Sequence, residues 1–279
     1  STSNVVFVVV ENPRETLARC AALWFEQQPA QIVAVTGTNG KTSVASFCQQ
    51  IWSNLDIEAV SIGTNGVRGA WTQPLRHTTP DALEMHQLLF KLKENGIDHV
   101  ALEASSHGLD QSRLDGVQFS GACFTNFSQD HLDYHKSKDD YFEAKALLFR
   151  QLLASDRTAV FNVANNRIKL LAEELKSQGN LVVTLGKSKG SNIQLKRQTF
   201  DSSGQEVFFK YDGILYQKRL NLIGGFQAEN VLMAAALVIS LGSEPQDVFN
   251  VLHNLITVRG RMELAASRAN GAVSYTHLT

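Results

Sequence analysis

Hydrophobic residues follow two alternating patterns along most of this chain. Short apolar runs, which are typical of buried strands, stand at residues 32–35, 100–102, 122–124, 158–161 and 181–184. Between these runs, apolar residues at helical spacing predict helices over about 41–55, 139–153 and 167–176. Because strand and helix alternate, the sequence predicts an α/β fold built on a doubly wound, mostly parallel sheet.

Two of the predicted helices have a well-defined apolar face. The first face consists of Val44, Phe47, Cys48, Ile51, Trp52 and Leu55, and the second of Met85, Leu88, Leu89 and Leu92. We expect the second helix to begin with Thr79 as its cap and Pro80 at its first position, with Asp81 facing the positive end of the dipole.

The pattern changes to a period of two in the last third of the chain. Between 192 and 222, apolar and polar residues alternate around turn-forming residues at 202–204 and 212–213. This segment predicts a small antiparallel β meander. Helices over 230–241 and 247–255 complete the predicted order of elements.

Composition limits the classes of protein that remain. The 279 residues, 43% of them hydrophobic, predict one large or two ordinary globular domains. Twenty-six basic and 27 acidic residues give a net charge of −1, so we expect no nucleic-acid partner. The apolar stretch near the start covers only residues 5–10 and lacks the marks of a secretory signal. We therefore expect a cytoplasmic protein without a membrane span.

Three cysteines are widely spaced along the chain, at Cys20, Cys48 and Cys123. Their odd number and spacing fit reduced thiols packed in the core better than a disulfide framework or a zinc site.

A glycine-rich segment, Gly37-Thr38-Asn39-Gly40-Lys41-Thr42, separates the first strand from the first amphipathic helix. In that position, backbone N–H groups and the helix dipole can hold a polyphosphate, Lys41 can neutralise its oxygens, and Thr42 can contact magnesium. Val35 stands where the general phosphate-loop pattern has its first glycine, so an ordinary glycine turn is the alternative. The same four residues recur at 63–66 without a following lysine, and there we expect only a turn.

Acidic and histidine side chains follow two of the predicted strands. Glu103 ends a strand at the carboxyl edge of the sheet, where it is either a metal ligand or a plain strand-end residue. Two histidines and two acids crowd into residues 130–135, and His131 is a candidate metal ligand. For Asp133 and His135, a direct role and a solvated loop position are equally acceptable interpretations.

Several segments together resemble the Mur ligases, and among these the MurE type, which adds an amino acid to UDP-N-acetylmuramoyl-L-alanyl-D-glutamate. They are 36–42 (TGTNGKT), 77–81 (HTTPD), 103–109 (EASSHGL), 125–126 (TN), 130–135 (DHLDYH) and 260–263 (GRME), in this order. No single segment is specific, but the combination is.

The resemblance implies an ATP-dependent amide ligase of peptidoglycan precursor synthesis that works through an acyl phosphate. It also implies three parts: 1–29 as the tail of a UDP-binding domain, 30–262 as the central ATP-binding domain, and 263–279 as the start of a third domain. Its partners would be small molecules, namely the UDP-muramoyl dipeptide, ATP and an amino acid, either meso-diaminopimelate or L-lysine. We expect a monomer.

The resemblance further assigns roles to individual residues of this chain. Lys41, Lys145 and His131 would be catalytic, with Lys145 carbamylated by CO₂. Metal ligands for Mg²⁺ would be Thr42, Glu103, His131 and the carbamylated Lys145. ATP would contact Gly37, Thr38, Asn39, Gly40, Lys41, Thr42, Asn230 and Arg261. The muramoyl peptide would contact Thr78, Thr79, Ser105, Gln111 and Arg113. Three departures from the family pattern are Gln227, the pair Asn165-Asn166, and 274–278 (SYTHL), where the family has Asp-Tyr-Ala-His-Thr.

Two other groups of functions remain open on the sequence alone. A phosphotransferase, a nucleotide hydrolase or a folylpolyglutamate-synthetase-like ligase could use the same phosphate loop on another acceptor. A truncated nucleotide-binding module could hold ATP without turnover. A requirement for the UDP-muramoyl dipeptide distinguishes the first group, and formation of ADP distinguishes the second.

Overall fold

A large sheet with helices on both faces forms the centre of the molecule. The computed structural model describes residues 7–128 and 134–258, and the backbone of two strands at 263–267 and 273–276. The strands of the main sheet are β1 (Gln31–Thr36), β2 (Ala59–Gly63), β3 (Gly66–Gly69), β4 (His99–Glu103), β5 (Gly121–Phe124), β6 (Thr158–Asn162), β7 (Leu181–Gly186), β8 (Ile193–Asp201), β9 (Gly204–Tyr211) and β10 (Ile214–Leu220). Two further strands, β11 (Glu263–Ser267) and β12 (Val273–Thr276), pair antiparallel with each other.

Helices connect most of these strands. They are α1 (Pro13–Phe25), α2 (Lys41–Asn54), α3 (Ala82–Glu94), α4 (Ser106–Asp110), α5 (Lys138–Leu147), α6 (Asn166–Ser177), α7 (Phe226–Ser240) and α8 (Pro245–Val251). A π-helical turn, Leu148–Leu152, continues α5, and a 3₁₀ turn, Leu252–Asn254, follows α8.

The strand order of the main sheet is β10-β9-β8-β7-β6-β5-β1-β4-β2-β3. All strands from β8 to β2 in this order pair in parallel, while β3, β9 and β10 are antiparallel to their neighbours. This confirms the predicted α/β fold with a mostly parallel sheet. The predicted meander is β8 to β10, and it extends the sheet because β8 pairs with β7.

Two apolar layers cover the sheet, one on each face. In β1, Ile32 and Ala34 pack in the layer of α3, α5 and α6, whereas Val33 and Val35 pack in the layer of α2, α7 and α8. A parallel strand buried on both faces needs apolar residues at every position, which is why β1 is an unbroken apolar run. The apolar faces predicted for α2 and α3 are buried, apart from the half-buried Leu55.

Helix α3 begins two residues later than the sequence predicts. Its cap is Asp81, whose side chain accepts a hydrogen bond from the Glu84 N–H at 2.9 Å. The hydroxyl of Thr79 is engaged elsewhere, because it donates to the backbone carbonyl of Glu103 at 2.8 Å. Pro80 therefore precedes the cap instead of occupying the first helical position, and the prediction of a Thr79 cap is wrong.

Helix α1 has no counterpart among the predicted elements. Asn12 caps it by accepting from the Glu15 N–H, and it packs on α3, where the rings of Phe25 and Phe90 lie 5.8 Å apart. Cys20 on this helix is exposed, which contradicts the prediction that all three cysteines are core residues. None of the helices in residues 7–128 and 134–258 is long and apolar enough to cross a bilayer.

Candidate active site

The carboxyl ends of three neighbouring strands meet at one point of the sheet edge. Since β1 lies between β4 and β5, the segments that follow these strands are brought together. They surround a cavity of about 810 Å³, whose lining includes Thr38 to Ser43 from the first segment and Glu103, Ser105, Ser106 and His107 from the second. The sequence predicted this edge as the binding site, and the structure places a cavity there.

The loop after β1 is shaped by the residues that end β5. Asn126 accepts from the N–H of Thr38 through its carbonyl and from the N–H of Asn39 through its side chain, each at 2.9 Å. Gly37 has a φ of 141°, and a Cβ there would lie 2.0 Å from the hydroxyl oxygen of Thr125. Only glycine fits at this position. The contacts of Thr125 and Asn126 therefore determine the conformation of the loop.

Two lysines converge on the loop. The Nζ atom of Lys41 donates to the carbonyls of Gly37 and Thr38, both at 2.9 Å. Lys145, from α5, donates to the same Gly37 carbonyl at 3.0 Å and lies 4.4 Å from the centre of the Tyr141 ring. Lys145 is only 1% exposed, although a lysine on a helix is usually a surface residue. Both amines therefore lie where an anionic ligand of the loop would be held.

Thr42 and Glu103 are in direct contact. The Thr42 hydroxyl donates to Glu103 Oε2 at 2.9 Å, and both residues line the cavity. Hydroxyl and carboxylate oxygens are hard ligands, which is the chemistry that Mg²⁺ prefers. Among residues 7–128 and 134–258, no group of three or more His, Cys, Asp or Glu could hold a metal ion. The Thr42 hydroxyl and the Glu103 carboxylate are a donor set that would fit a magnesium ion, which commonly binds through one or two carboxylates of a protein.

The residues expected to bind the muramoyl peptide divide into two kinds. Thr78, Thr79, Ser105 and Arg113 line the cavity, whereas Gln111 does not. Gln111 accepts a hydrogen bond from Arg113 at 2.6 Å, and Arg113 donates to the Thr79 carbonyl at 2.8 Å. Gln111 is thus placed to orient Arg113.

Asn230 lies opposite the loop, at the start of α7. A Cβ on Gly40 would come within 2.7 Å of its side-chain oxygen, so helix α7 and the loop are in close contact. The side-chain amide of Asn230 donates to Gln227 at 3.1 Å. Gln227, one of the departures from the family pattern, therefore supports Asn230. Asn165, another departure, caps α6 and is not among the residues that line the cavity.

Several cavity residues were not assigned a role from the sequence. They include Ser43, Thr64, His77, Ser106, His107, Asn162, Phe226 and Glu229. The amide of Asn162 donates to Glu229 at 2.7 Å, which joins β6 to α7. The buried Ser106 hydroxyl has no hydrogen-bond partner among the described residues. Ser106 and His107 stand beside Ser105 in a segment already singled out, but nothing local in the sequence connects Asn162 with Glu229.

Two predicted site residues lie outside the described residues. They are His131, expected to hold a metal, and Arg261, expected to face the nucleotide. Their assignments stay predictions.

Residues 35–238 match the family model of the Mur ligase middle domain. The chain belongs to the Mur ligase family. It is 41% identical over 284 residues to the UDP-N-acetylmuramoyl-L-alanyl-D-glutamate–2,6-diaminopimelate ligase of Bradyrhizobium diazoefficiens, covering 98% of this chain and 58% of that protein. It is also 41% identical to the ligase of the same name from Caulobacter vibrioides, covering 95% of this chain and 56% of that one.

Solved structures agree with the fold. A UDP-N-acetylmuramoyl-L-alanyl-D-glutamate–2,6-diaminopimelate ligase superposes with a TM-score of 0.85 at 27% identity, over 94% of this chain and 54% of that one. The MurF ligase of Thermotoga maritima in complex with ADP has a TM-score of 0.70 at 18% identity, over 96% and 58%. The chain thus spans a little over half the length of these relatives.

Proposed function

We propose that the protein containing this chain adds diaminopimelate to UDP-N-acetylmuramoyl-L-alanyl-D-glutamate with the consumption of ATP. The observation that carries the proposal is the convergence of Lys41 and Lys145 on one carbonyl of a glycine loop, next to the Thr42–Glu103 pair. The names of the relatives supply the two substrates and favour diaminopimelate over L-lysine.

The chemical difficulty of this reaction is repulsion between anions. The substrate carboxylate must attack the terminal phosphate of ATP, and both groups are negative. The charge of Lys41, at the start of α2, would offset that repulsion, and the backbone N–H groups of the loop would hold the phosphates in line. The acyl phosphate that forms then has a good leaving group, and the amine of the incoming amino acid displaces it to give the amide.

Thr42 and Glu103 would hold a magnesium ion, which supplies positive charge to the phosphate oxygens when bound. We propose that Lys145 carries a carbamate, which would change a cation into an oxygen ligand for a second ion together with His131. The burial of Lys145 beside the loop supports this role, because a lysine without a function at this site would ordinarily be exposed to solvent.

The domain bounds, the oligomeric state and the localisation expected from the sequence are part of this proposal as well. Residues 30–262 would form the ATP-binding domain between parts of two others, and the matched span 35–238 falls inside those bounds. We also propose that the protein is a cytoplasmic monomer, since ATP and UDP-linked precursors are cytoplasmic.

Replacement of either lysine tests the proposal. We expect Lys41→Ala and Lys145→Ala each to lower ADP formation in the presence of the UDP-muramoyl dipeptide and diaminopimelate by at least about 100-fold. ADP release is measured with a coupled assay, and Lys189→Ala, an exposed lysine, is the control that keeps full activity. ¹³C-bicarbonate labelling should give a carbamate resonance that Lys145→Ala lacks.

Two outcomes contradict the proposal. The first is undiminished ADP formation in both lysine variants. The second is binding of Mg·ATP by the wild-type protein without any turnover when all substrates are supplied, which would favour a nucleotide-binding module.

A further inference from the structure

The second Gly-Thr-Asn-Gly segment, at 63–66, lies against the carboxylate of Glu103. It forms the turn between β2 and β3, as the sequence predicts, but it also contacts the cavity. The Thr64 N–H donates to Glu103 Oε1 at 2.8 Å, and the Thr64 hydroxyl donates to Oε2 at 3.4 Å. The turn therefore contacts both oxygens of this carboxylate.

Gly63 makes room for this contact. A Cβ on Gly63 would lie 1.9 Å from Glu103 Oε1 and 2.5 Å from Cδ, far inside any van der Waals distance. The residue is not among the glycines with a left-handed backbone, so the need for glycine here is one of space. The Glu103 carboxylate lies directly on the Gly63 backbone.

Glu103 is thereby held from two sides. Thr42 at the start of α2 donates to Oε2, and Thr64 in the turn donates to both oxygens. Glu103 is 2% exposed, so these donors replace the water that would otherwise surround its carboxylate. Groups that hydrogen-bond a metal ligand fix its orientation and raise the affinity for the ion.

The Thr64 hydroxyl also reaches the other half of the cavity. It lies 3.1 Å from the hydroxyl of Thr78, one of the residues expected to contact the muramoyl peptide. The Thr64 side chain therefore connects Glu103, next to the glycine-rich loop, with Thr78, in the segment expected to contact the muramoyl peptide.

We propose that Gly63 and Thr64 are positioning residues that orient Glu103 toward the divalent cation accompanying ATP. The proposal rests on the proposed function, in which Glu103 is a ligand of that cation. Gly63 provides the space in which the carboxylate lies, the Thr64 N–H fixes one oxygen, and the Thr64 hydroxyl sets the other beside Thr78.

Mn²⁺ binding to the 279-residue chain with a non-hydrolysable ATP analogue tests this proposal. Bound Mn²⁺ is counted by electron paramagnetic resonance, and folding of each variant is checked by circular dichroism. We expect Gly63→Ala to weaken Mn²⁺ binding by at least about tenfold, because its new methyl group must displace the carboxylate. Thr64→Val, which loses only the hydroxyl, should weaken it roughly threefold, and Thr64→Ser should restore it.

Asn65→Ala is the matched control, since it changes the same turn at a residue whose backbone carbonyl accepts from Arg68. Glu103→Gln is the positive reference and should weaken Mn²⁺ binding more than any turn variant. Wild-type affinity in folded Gly63→Ala and Thr64→Val, with reduced affinity in Glu103→Gln, overturns the positioning role and leaves the proposed function intact. Absence of a Mn²⁺–nucleotide complex in the wild-type chain, or full binding by Glu103→Gln, overturns both.

Discussion

At the scale of single residues, the three cysteines sit in different environments. Cys20 is exposed on α1, while Cys48 in α2 and Cys123 in β5 are fully buried on the same face of the sheet. Burial raises the pKa of both core thiols well above the ordinary value, and for Cys123 the neighbouring Cys48 raises it further. Since the thiolate is the reactive form, the two core thiols are unreactive in the folded chain.

This environment predicts a simple labelling pattern. We expect a thiol reagent such as 5,5′-dithiobis(2-nitrobenzoate), applied at pH 8, to react rapidly with one thiol of the native chain and with all three in denaturant. Cys20→Ser should abolish the rapid reaction. Fast labelling of two thiols in the native chain would show that the region around α2 and β5 opens readily.

Single residues of the site were predictable to different degrees. The loop residues carry a local signal, namely glycines between a strand and a helix followed by Lys41. Lys145 has no such local signal, and only the family resemblance identified it as a site residue. Thr64 was interpreted as part of a plain turn, because its contact with Glu103 spans 39 positions and depends on the pairing of β2 with β4.

At the scale of elements, helix α3 shows how a cap is chosen. Thr79, Pro80 and Asp81 all suit a helix start, and the sequence alone does not rank them. The tertiary structure decides, because the Thr79 hydroxyl bonds with the Glu103 carbonyl and with Ser105. Asp81 therefore becomes the cap, and its side chain accepts a hydrogen bond from the Glu84 N–H in the first turn of the helix.

Replacement of this cap has a measurable cost. We expect Asp81→Ala to lower the free energy of unfolding by about 1 kcal/mol, while Asp81→Asn, which keeps an accepting side chain, changes it little. Urea denaturation followed by circular dichroism gives both values. Asp156→Ala, an exposed aspartate outside any cap, is the control. Equal stability of Asp81→Ala and wild type would mean that another group caps α3.

Elements with a continuous apolar run or with one well-defined apolar face were the easiest to predict. The central parallel strands and α2 have apolar patterns that no other structure explains as well. Helix α1 was missed because its apolar residues do not form one buried stripe: Ala18 and Ala21 are buried, whereas Leu23 and Trp24 are 77% and 82% exposed. The large apolar residues of α1 therefore do not mark a single buried face.

At the scale of the whole molecule, buried histidines make stability depend on pH. His86 in α3 is 1% exposed, and its Nε2 hydrogen-bonds to the Asp115 carbonyl at 2.9 Å. Burial lowers the pKa of His86 below its ordinary 6.5, against a smaller opposite effect of that hydrogen bond. Burial lowers the pKa of His99 as well.

The sign of the effect follows from proton binding. Below pH 6.5 the unfolded chain takes up a proton at His86 more readily than the folded chain does. The contribution of His86 to the free energy of unfolding is therefore greatest above this pH and decreases as the pH falls below it. Asp115 acts in the opposite direction, because burial raises the pKa of its carboxyl. A variant that lacks the imidazole isolates the contribution of His86.

We therefore expect His86→Gln to flatten the decrease in unfolding free energy below pH 6.5, by up to about 1.4 kcal/mol per pH unit. Urea titrations at a series of pH values measure the slope, and His253→Gln, at an exposed position, is the control. A slope in His86→Gln identical to that of the wild type would assign the pH dependence to other groups.

The two apolar layers have a consequence for how β1 is aligned in the sheet. If this strand slipped by one residue, Ile32 and Ala34 would exchange layers with Val33 and Val35, and apolar side chains would still be buried on both faces. Burial alone therefore discriminates weakly against the slipped arrangement. The Thr36 carbonyl, which accepts from both the N–H and the hydroxyl of Thr125, holds the strand at one position. Thr125, which shapes the glycine-rich loop after β1, thus also holds this strand in register.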